Sequence, residues 1–136
     1  MKKNFLVTAG IKETWEFHEK NFLLGEWCKL YNQKHVWQNL QHETLPYHWK
    51  DRKKFRQDYF YCESQYEKLL KQLGEQLNQI HGVDHSQRYW RIVLGSWLFH
   101  FITAIYDRYF CIKVATDSKL VTNSWLPSFG SGQWVK

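Results

Sequence analysis

Several short motifs that identify catalytic and metal-binding proteins are missing from this chain of 136 residues. Its three cysteines, Cys28, Cys62 and Cys111, form no C-x-x-C pair, which excludes the common zinc and dithiol motifs. They are typical of reduced, mostly buried thiols in a cytosolic protein. Neither a G-x-S-x-G motif nor a glycine-rich phosphate loop is present, since Gly10 and Gly25 are isolated. The sequence therefore carries no signature of an α/β-hydrolase or of a P-loop protein.

The chain also lacks an apolar run of the roughly 20 residues that a membrane span requires. The best candidate, Ile92–Tyr106, contains His100 and is bordered by Arg91 and by Asp107–Arg108. The apolar part of the N-terminus is too short for a signal peptide. We therefore expect a cytoplasmic protein without a transmembrane segment, which touches the inner face of the membrane at most peripherally.

Aromatic residues, in contrast, are abundant and make up 18% of the chain. Each large ring buries on the order of 150–250 Å², so rings must form much of the core. The formal charge is +6 with a pI near 9.2, which favours anionic partners. The basic residues are spread along the chain and no recognisable nucleic-acid module is present, so nucleic acid is an unlikely partner.

Two short apolar runs that end in glycine predict strands near residues 4–9 and 21–25. Residues 26–40 could form a helix, and 41–49 has the character of a loop because Pro46 disfavours helix before it. Strands followed by helical sequence are typical of an α/β fold. We therefore predict an α/β protein with the edge of a small parallel sheet.

Two long helices follow, at about 51–81 and 86–114. Asp51 is a suitable N-cap, Gly82 ends the first helix, and apolar residues recur along it at spacings of three and four. Glu67 and Lys71 could pair across one turn on its polar side. The short corner between the helices predicts a dominant antiparallel helical hairpin. Packing within the domain explains the apolar stripe better than a coiled-coil dimer, although self-association through the hairpin stays open.

The second helix carries an aromatic run from Tyr89 to Phe110. We interpret this run as the buried half of the hairpin, because its length and its flanking charges do not suit a membrane span. The tail, residues 116–136, has no clear period. The predicted domains are therefore 1–115, the α/β domain with the hairpin, and 116–136, an irregular tail that begins a truncated continuation.

Polar residues at strand ends and helix starts are the candidates for chemistry, since ligands of open α/β sheets gather beyond the carboxyl ends of strands. Glu26 and Trp27 follow the second strand, and Arg88 and Arg91 lie in the first turns of the aromatic helix. Arginine is suited to phosphate or carboxylate. The structural alternative is an ion pair for Glu26 and for each arginine.

Histidines offer a weaker signal. His81 and His85 are separated by a helix end, while His42 and His48 lie in the predicted loop. Neither set has a known ligand spacing, so we predict no metal site.

Three unusual blocks together point to a family: residues 22–28, residues 45–52, and residues 81–92 with the sequence HGV-x-HSQRYWRI. In this order they resemble the N-terminal region of a family of bacterial transferases linked to surface-carbohydrate biosynthesis. The similarity extends from Phe5 to about Trp125.

The resemblance implies a longer, two-lobed glycosyltransferase-like enzyme, of which this chain is the acceptor-side, partly Rossmann-like or GT-B-like N-terminal lobe. The full-length enzyme is expected to use a nucleotide sugar held by a C-terminal lobe that this chain lacks. No cofactor is expected on this chain, and its partners are a carbohydrate acceptor or the missing lobe. In that role Glu26 or His48 is the candidate acid/base, and Trp27, Arg88 and Arg91 are candidate ligand-binding residues. The alternative functions are a non-catalytic helical interaction module and, less favoured, a nucleic-acid binder.

Overall fold

The computed structural model describes residues 3–128, and the elements below lie within that range. The strands are β1 (Asn4–Val7), β2 (Lys20–Leu23), β3 (His42–Thr44) and β4 (Asn123–Ser124). The helices are α1 (Lys34–Trp37), α2 (Arg52–His81) and α3 (Gln87–Asp117). Four single-turn 3-10 helices complete the order, at Lys12–Thr14, Glu26–Cys28, Tyr31–Gln33 and His48–Lys50.

The four strands form one sheet in the order β3-β2-β1-β4, with parallel pairing throughout. In the register, Phe5 lies opposite Asn21 on one side and Asn123 on the other. The prediction of a mixed α/β chain with a small parallel sheet is confirmed. Strands β3 and β4 differ from the prediction and leave little trace in the sequence, because β3 is only three residues long and β4 only two.

The described residues fall into two compact units. The sheet unit consists of residues 3–47 and 111–128, and the helical unit consists of residues 48–110. The core of the sheet unit is an apolar cluster beneath the strands: Val7, Trp15, Phe22, Leu23, Leu24, Cys28, Leu45, Cys111 and Ala115. The strands are therefore covered mainly by the loops that follow them and by the last turns of α3.

The segment 26–40 does not form the predicted helix. It contains two 3-10 turns and the four-residue α1. Leu30 is extended, and Tyr31 on the expected apolar face is largely exposed. A helix gains most of its stability from packing one apolar face. Here Trp27 packs on Gly25 and Leu30 packs on Gly10, while Tyr31 is exposed, so these side chains do not share one face. The predicted loop 41–49 likewise contains β3 and the start of the His48–Lys50 turn.

In the helical unit, the predicted ends of α2 are confirmed. The Asp51 carboxylate accepts hydrogen bonds from the backbone N–H groups of Lys53 and Lys54. Gly82 ends the helix at φ 63°, a left-handed conformation that favours glycine. The other helix, α3, starts at Gln87 and runs three residues beyond the predicted 114.

Side chains of α2 contact those of α3 in reverse order, as Asp58 with Tyr106 and Glu67 with Arg91. Leu70, Trp90 and Leu98 are buried between them. A Cβ on Gly74 would lie 2.9 Å from the Trp90 ring, so glycine lets the indole approach the α2 backbone. Glu67 pairs with Arg91 instead of the predicted Lys71.

The prediction that packing buries the aromatic run of α3 is wrong for half of its eight rings. Tyr89, Trp97, Phe101 and Tyr109 are exposed. The run is apolar around the whole helix, whereas α2 covers only one side of it. No helix within residues 3–128 is long and apolar enough to cross a bilayer.

All three cysteines are buried thiols, as predicted. Asn123 and Ser124 in β4 fall within the predicted tail, whose division from the domain at residue 115 stays a prediction. Residues 129–136, and with them the last part of that tail, lie outside the described residues.

Candidate functional site

Three loops of the sheet unit leave the strands at the same edge, because β1, β2 and β3 run parallel. Two of these loops carry a glycine against which a side chain packs. A Cβ on Gly25 would fall 2.0 Å from the Trp27 ring, and one on Gly10 would fall 2.4 Å from the Leu30 side chain. Glycine at these positions thus lets Trp27 and Leu30 lie directly on backbone at the carboxyl edge.

Glu26 opens the 3-10 turn after β2 and is an exposed carboxylate at this edge. Its side chain is 71% exposed, and Lys29 Nζ lies 3.1 Å from Oε2. The pKa of Glu26 is lowered, first by the Thr44 hydroxyl and then by Lys29. The Thr44 oxygen has no partner at regular hydrogen-bond distance, so its effect acts over a longer contact. Glu26 is therefore an ionised carboxylate that remains open to solvent.

His48 lies in the helical unit, in the turn just before α2. Its Nε2 is 3.0 Å from Asp107 Oδ1, and the imidazole is only 2% exposed. A carboxylate only accepts hydrogen bonds, so Nε2–H is the donor. Arg108 donates to the other Asp107 oxygen at 2.7 Å. The buried His48–Asp107 pair fixes the turn that leads into α2.

A second polar cluster, centred on Asp58, lies in the same unit. Asp58 accepts hydrogen bonds from Trp49 Nε1 at 2.9 Å, from the Tyr106 hydroxyl at 2.8 Å, and from Lys54. Burial raises the pKa of Asp58, but these three donors outweigh it and the net shift is downward. Burial and the bond to Asp58 raise the pKa of Tyr106. The Trp49 and Tyr106 rings stack nearly in parallel beside the carboxylate.

Asp58 and Asp107 were not among the residues predicted from the sequence. The only local signal was the four-residue spacing of Lys54 and Asp58. Tyr106 is 48 residues from Asp58 and His48 is 59 residues from Asp107, so both contacts depend on the fold.

The two arginines of the α3 start differ in their surroundings. Arg91 binds Glu67 through two hydrogen bonds, each 2.6 Å long, which is the structural alternative considered for it. Arg88 is exposed, and no ion pair of Arg88 occurs within residues 3–128. Arg88 is therefore the more accessible of the two for an anion.

The candidate residues are divided between the two units. Glu26 and Trp27 belong to the sheet unit, whereas His48, Arg88 and Arg91 belong to the helical unit. Within the helical unit, His48 binds Asp107, and Asp107 and Arg91 are separated by sixteen residues of α3, or about 24 Å. Each candidate must be assessed in its own surroundings.

The histidines considered for a metal have other contacts. His42 Nδ1 lies 2.8 Å from the Leu40 carbonyl oxygen, and the His85 ring lies 4.0 Å from the Tyr89 ring.

A family model described as LIC12162 family transferase matches residues 4–131. No curated protein and no solved structure matches the chain. The family match covers nearly the whole sequence, including all three of the unusual blocks.

Proposed function

We propose that this chain, which belongs to the LIC12162 family of transferases, is the N-terminal, acceptor-side part of a glycosyltransferase-like enzyme of bacterial surface polysaccharide biosynthesis. The family match supports the transferase class, and the parallel sheet supports a partly Rossmann-like or GT-B-like lobe. In this proposal a C-terminal lobe holds the nucleotide sugar. The enzyme works in the cytoplasm, at the inner face of the membrane.

The observation that carries the proposal is the exposed Glu26 carboxylate at the carboxyl edge of the sheet, beside Trp27. An acceptor hydroxyl bound there would attack the anomeric carbon of the donor sugar. The bond from that carbon to the leaving nucleoside diphosphate breaks, and the hydroxyl proton passes to Glu26. Because a carboxylate is a far weaker base than an alkoxide, the proton moves to Glu26 as the new bond forms rather than before it.

The burial of His48 favours Glu26 as the acid/base group. An imidazole that is 2% exposed and bound to Asp107 offers little access to an acceptor hydroxyl. In this proposal His48 positions the turn before α2, while Arg88 holds an anionic sugar or a phosphate.

Turnover of a full-length enzyme that contains this chain tests the role of Glu26. Glu26→Gln keeps the shape but removes the base, so kcat should fall by about 10²–10⁴ with KM little changed. The matched control is Glu43→Gln, since Glu43 is an exposed carboxylate in β3 of the same unit. Unchanged turnover in Glu26→Gln would rule out the assignment.

A helical interaction module is the second candidate, because the helical unit has an open apolar groove of about 540 Å³. Its walls include Leu69, Leu73, Trp97, Phe101 and Ile105. Contiguous apolar surface of this kind marks interaction sites. A second copy is the simplest occupant, since two helical pairs that share such faces make a four-helix bundle.

Sedimentation of this chain tests the second candidate. Trp97→Glu should abolish concentration-dependent association by placing a charge in the groove. Ile80→Glu is the control, because Ile80 is exposed on α2 but does not line the groove. A chain that stays monomeric at all concentrations contradicts self-association.

A further inference from the structure

An open cleft of about 640 Å³ lies on the sheet unit, and neither Glu26 nor Trp27 lines it. Its volume is within the range of small-molecule sites, roughly 300–1,000 Å³. The residues that line it come from the loop between β1 and β2 and from the segment after β4: Lys12, Glu13, Trp15, Glu16, Phe17, His18 and Trp125.

The Trp125 indole is held in a defined orientation on the cleft. Its Nε1–H donates to Glu16 Oε2 at 3.1 Å, and its ring stacks on Phe5 at 5.7 Å and 17°. The other Glu16 oxygen accepts hydrogen bonds from the backbone N–H groups of Phe17 and His18, at 3.0 and 3.1 Å. These bonds lower the pKa of Glu16, so the group that anchors the indole stays ionised.

Although it is anchored, Trp125 remains 48% exposed. Since Phe5 covers one face of the ring, the exposed part offers a flat apolar surface to the cleft. Phe17 is a second ring on the cleft wall and is 49% exposed. An exposed indole whose N–H is already bonded and whose position is fixed loses little entropy on binding a ligand.

The polar groups around these rings limit the kind of ligand. Lys12 supplies one positive charge against the carboxylates of Glu13 and Glu16, so the cleft does not favour a phosphate. Lys12, Glu13 and His18 are exposed and together offer both donors and acceptors. A saccharide ring combines an apolar C–H face with a rim of hydroxyls, and this combination matches the rings and the polar side chains of the cleft.

We propose that the Trp125 cleft binds one saccharide ring of the acceptor. This inference rests on the proposed function, since it names a place for that acceptor. The sugar face lies on Trp125 beside Phe17, and its hydroxyls bond with Lys12, Glu13 and His18. Glu16 is a positioning residue that holds the indole.

Titration of the chain with two neutral methyl glycosides, those of glucose and rhamnose, tests the site by following the tryptophan indole N–H resonances. The Trp125 signal is identified by its loss in Trp125→Phe. We expect it to shift saturably with a Kd of about 1–10 mM for at least one glycoside. Phe17→Ala should weaken that binding about three- to tenfold, and Trp125→Ala should abolish it.

The matched control is Phe60→Ala, which removes a ring that is 53% exposed on α2 and lines neither this cleft nor the groove of the helical unit, and which should leave the affinity unchanged. Phe17 lies in an exposed loop, so Phe17→Ala tests the site even if Trp125→Ala disturbs β4. Backbone amide shifts of β1 and β2 report whether the sheet is intact.

Several results would overturn the inference: no saturable shift with either glycoside, equal affinity in Phe17→Ala, or tighter binding of uridine monophosphate or tetramethylammonium than of the glycosides. The outcome is separate from the test of Glu26. If the glycosides bind and Glu26→Gln turns over normally, the saccharide site is supported and the role of Glu26 as base is rejected. If Glu26→Gln loses turnover and no glycoside binds, the role of Glu26 is supported and the saccharide site is rejected.

Discussion

The sheet unit and the helical unit differ in how completely they bury their apolar side chains. In the sheet unit, Val7, Leu23 and Cys28 are fully buried under strands, loops and the end of α3. In the helical unit only a narrow set of side chains is buried, while Trp97, at 57% exposure, and several other rings remain open. A strand with neighbours on several sides can bury most of its side chains, but a helix with one partner helix buries only one stripe. A high content of aromatic residues is therefore a poor predictor of how many of them are buried.

For ionised side chains the contrast is reversed, because the buried carboxylates lie in the helical unit and the exposed candidate lies in the sheet unit. Glu26, the candidate acid/base group of the sheet unit, is exposed and has one surface ion pair. The helical unit instead places Asp58 and Asp107 among aromatic rings and gives each of them several donors. Buried polar groups of this kind are specific but intolerant of change, because the loss of one partner leaves the others unsatisfied.

The largest expected effect comes from a pair of leucine substitutions that tests the contrast in burial. Leu23→Ala removes a side chain that is 0% exposed and should destabilise the sheet unit by about 3 kcal/mol. Leu69→Ala removes one that is 36% exposed and should cost less than about 1 kcal/mol. Urea unfolding followed by amide hydrogen exchange reports each unit separately. Equal losses would show that the α2 face is covered in solution.

A smaller loss is expected from Asp58→Asn, which tests the polar side of the contrast. The variant keeps the size of the side chain but gives Lys54, Trp49 and Tyr106 a poorer acceptor, so the helical unit should lose about 2 kcal/mol. Glu63→Gln, an exposed change on the same helix, should have almost no effect. A similar loss in both variants would mean that the cluster is not specific.

The variants Asp58→Asn and Glu63→Gln also test how the stability of the helical unit depends on pH. Because folding lowers the pKa of Asp58 from its ordinary value of 3.8, the stability from its charge is complete above that pH. It is lost as the pH falls through the lower pKa of the folded state. Stability should therefore fall less steeply below about pH 4 in Asp58→Asn than in Glu63→Gln. Parallel pH profiles for the two variants would remove Asp58 as an acid-sensitive group.

The smallest effect is expected for Glu67→Gln, which breaks the bond pair to the exposed Arg91. Both groups are solvated, so the loss in stability should be smaller than in Asp58→Asn. It should fade at about 1 M salt, where screening acts over only about 3 Å. A loss that persists in high salt would mean that packing, rather than charge, holds the pair.

Local features of the fold could be predicted from the sequence, and contacts between distant residues could not. Asp51 and Gly82 mark the ends of α2 because capping depends on neighbouring residues. The strands β1 and β2 follow from apolar runs that end in glycine. In contrast, β4 is formed by Asn123 and Ser124, which have no strand character and are extended only because they pair with β1.

The candidate site divides in the same way. Glu26 and Trp27 could be selected because they directly follow a predicted strand. The Trp125 cleft could not, since Trp125 and Glu16 are 109 residues apart and meet only when β4 joins the sheet. The partners of His48 and Arg91 were hidden for the same reason, as each lies on another element.

The pairing of β4 with β1 has a consequence for the order of folding during synthesis. The Asn4 N–H donates to Thr122 Oγ1 at 3.0 Å across a separation of 118 residues. Closing so long a loop carries an entropic penalty, which slows the formation of such contacts. The helical unit, in contrast, is one continuous stretch of chain. On the ribosome, a nascent chain that ends near residue 110 already contains every residue of the helical unit. It does not yet contain β4, so the side of β1 that pairs with β4 remains an open sheet edge.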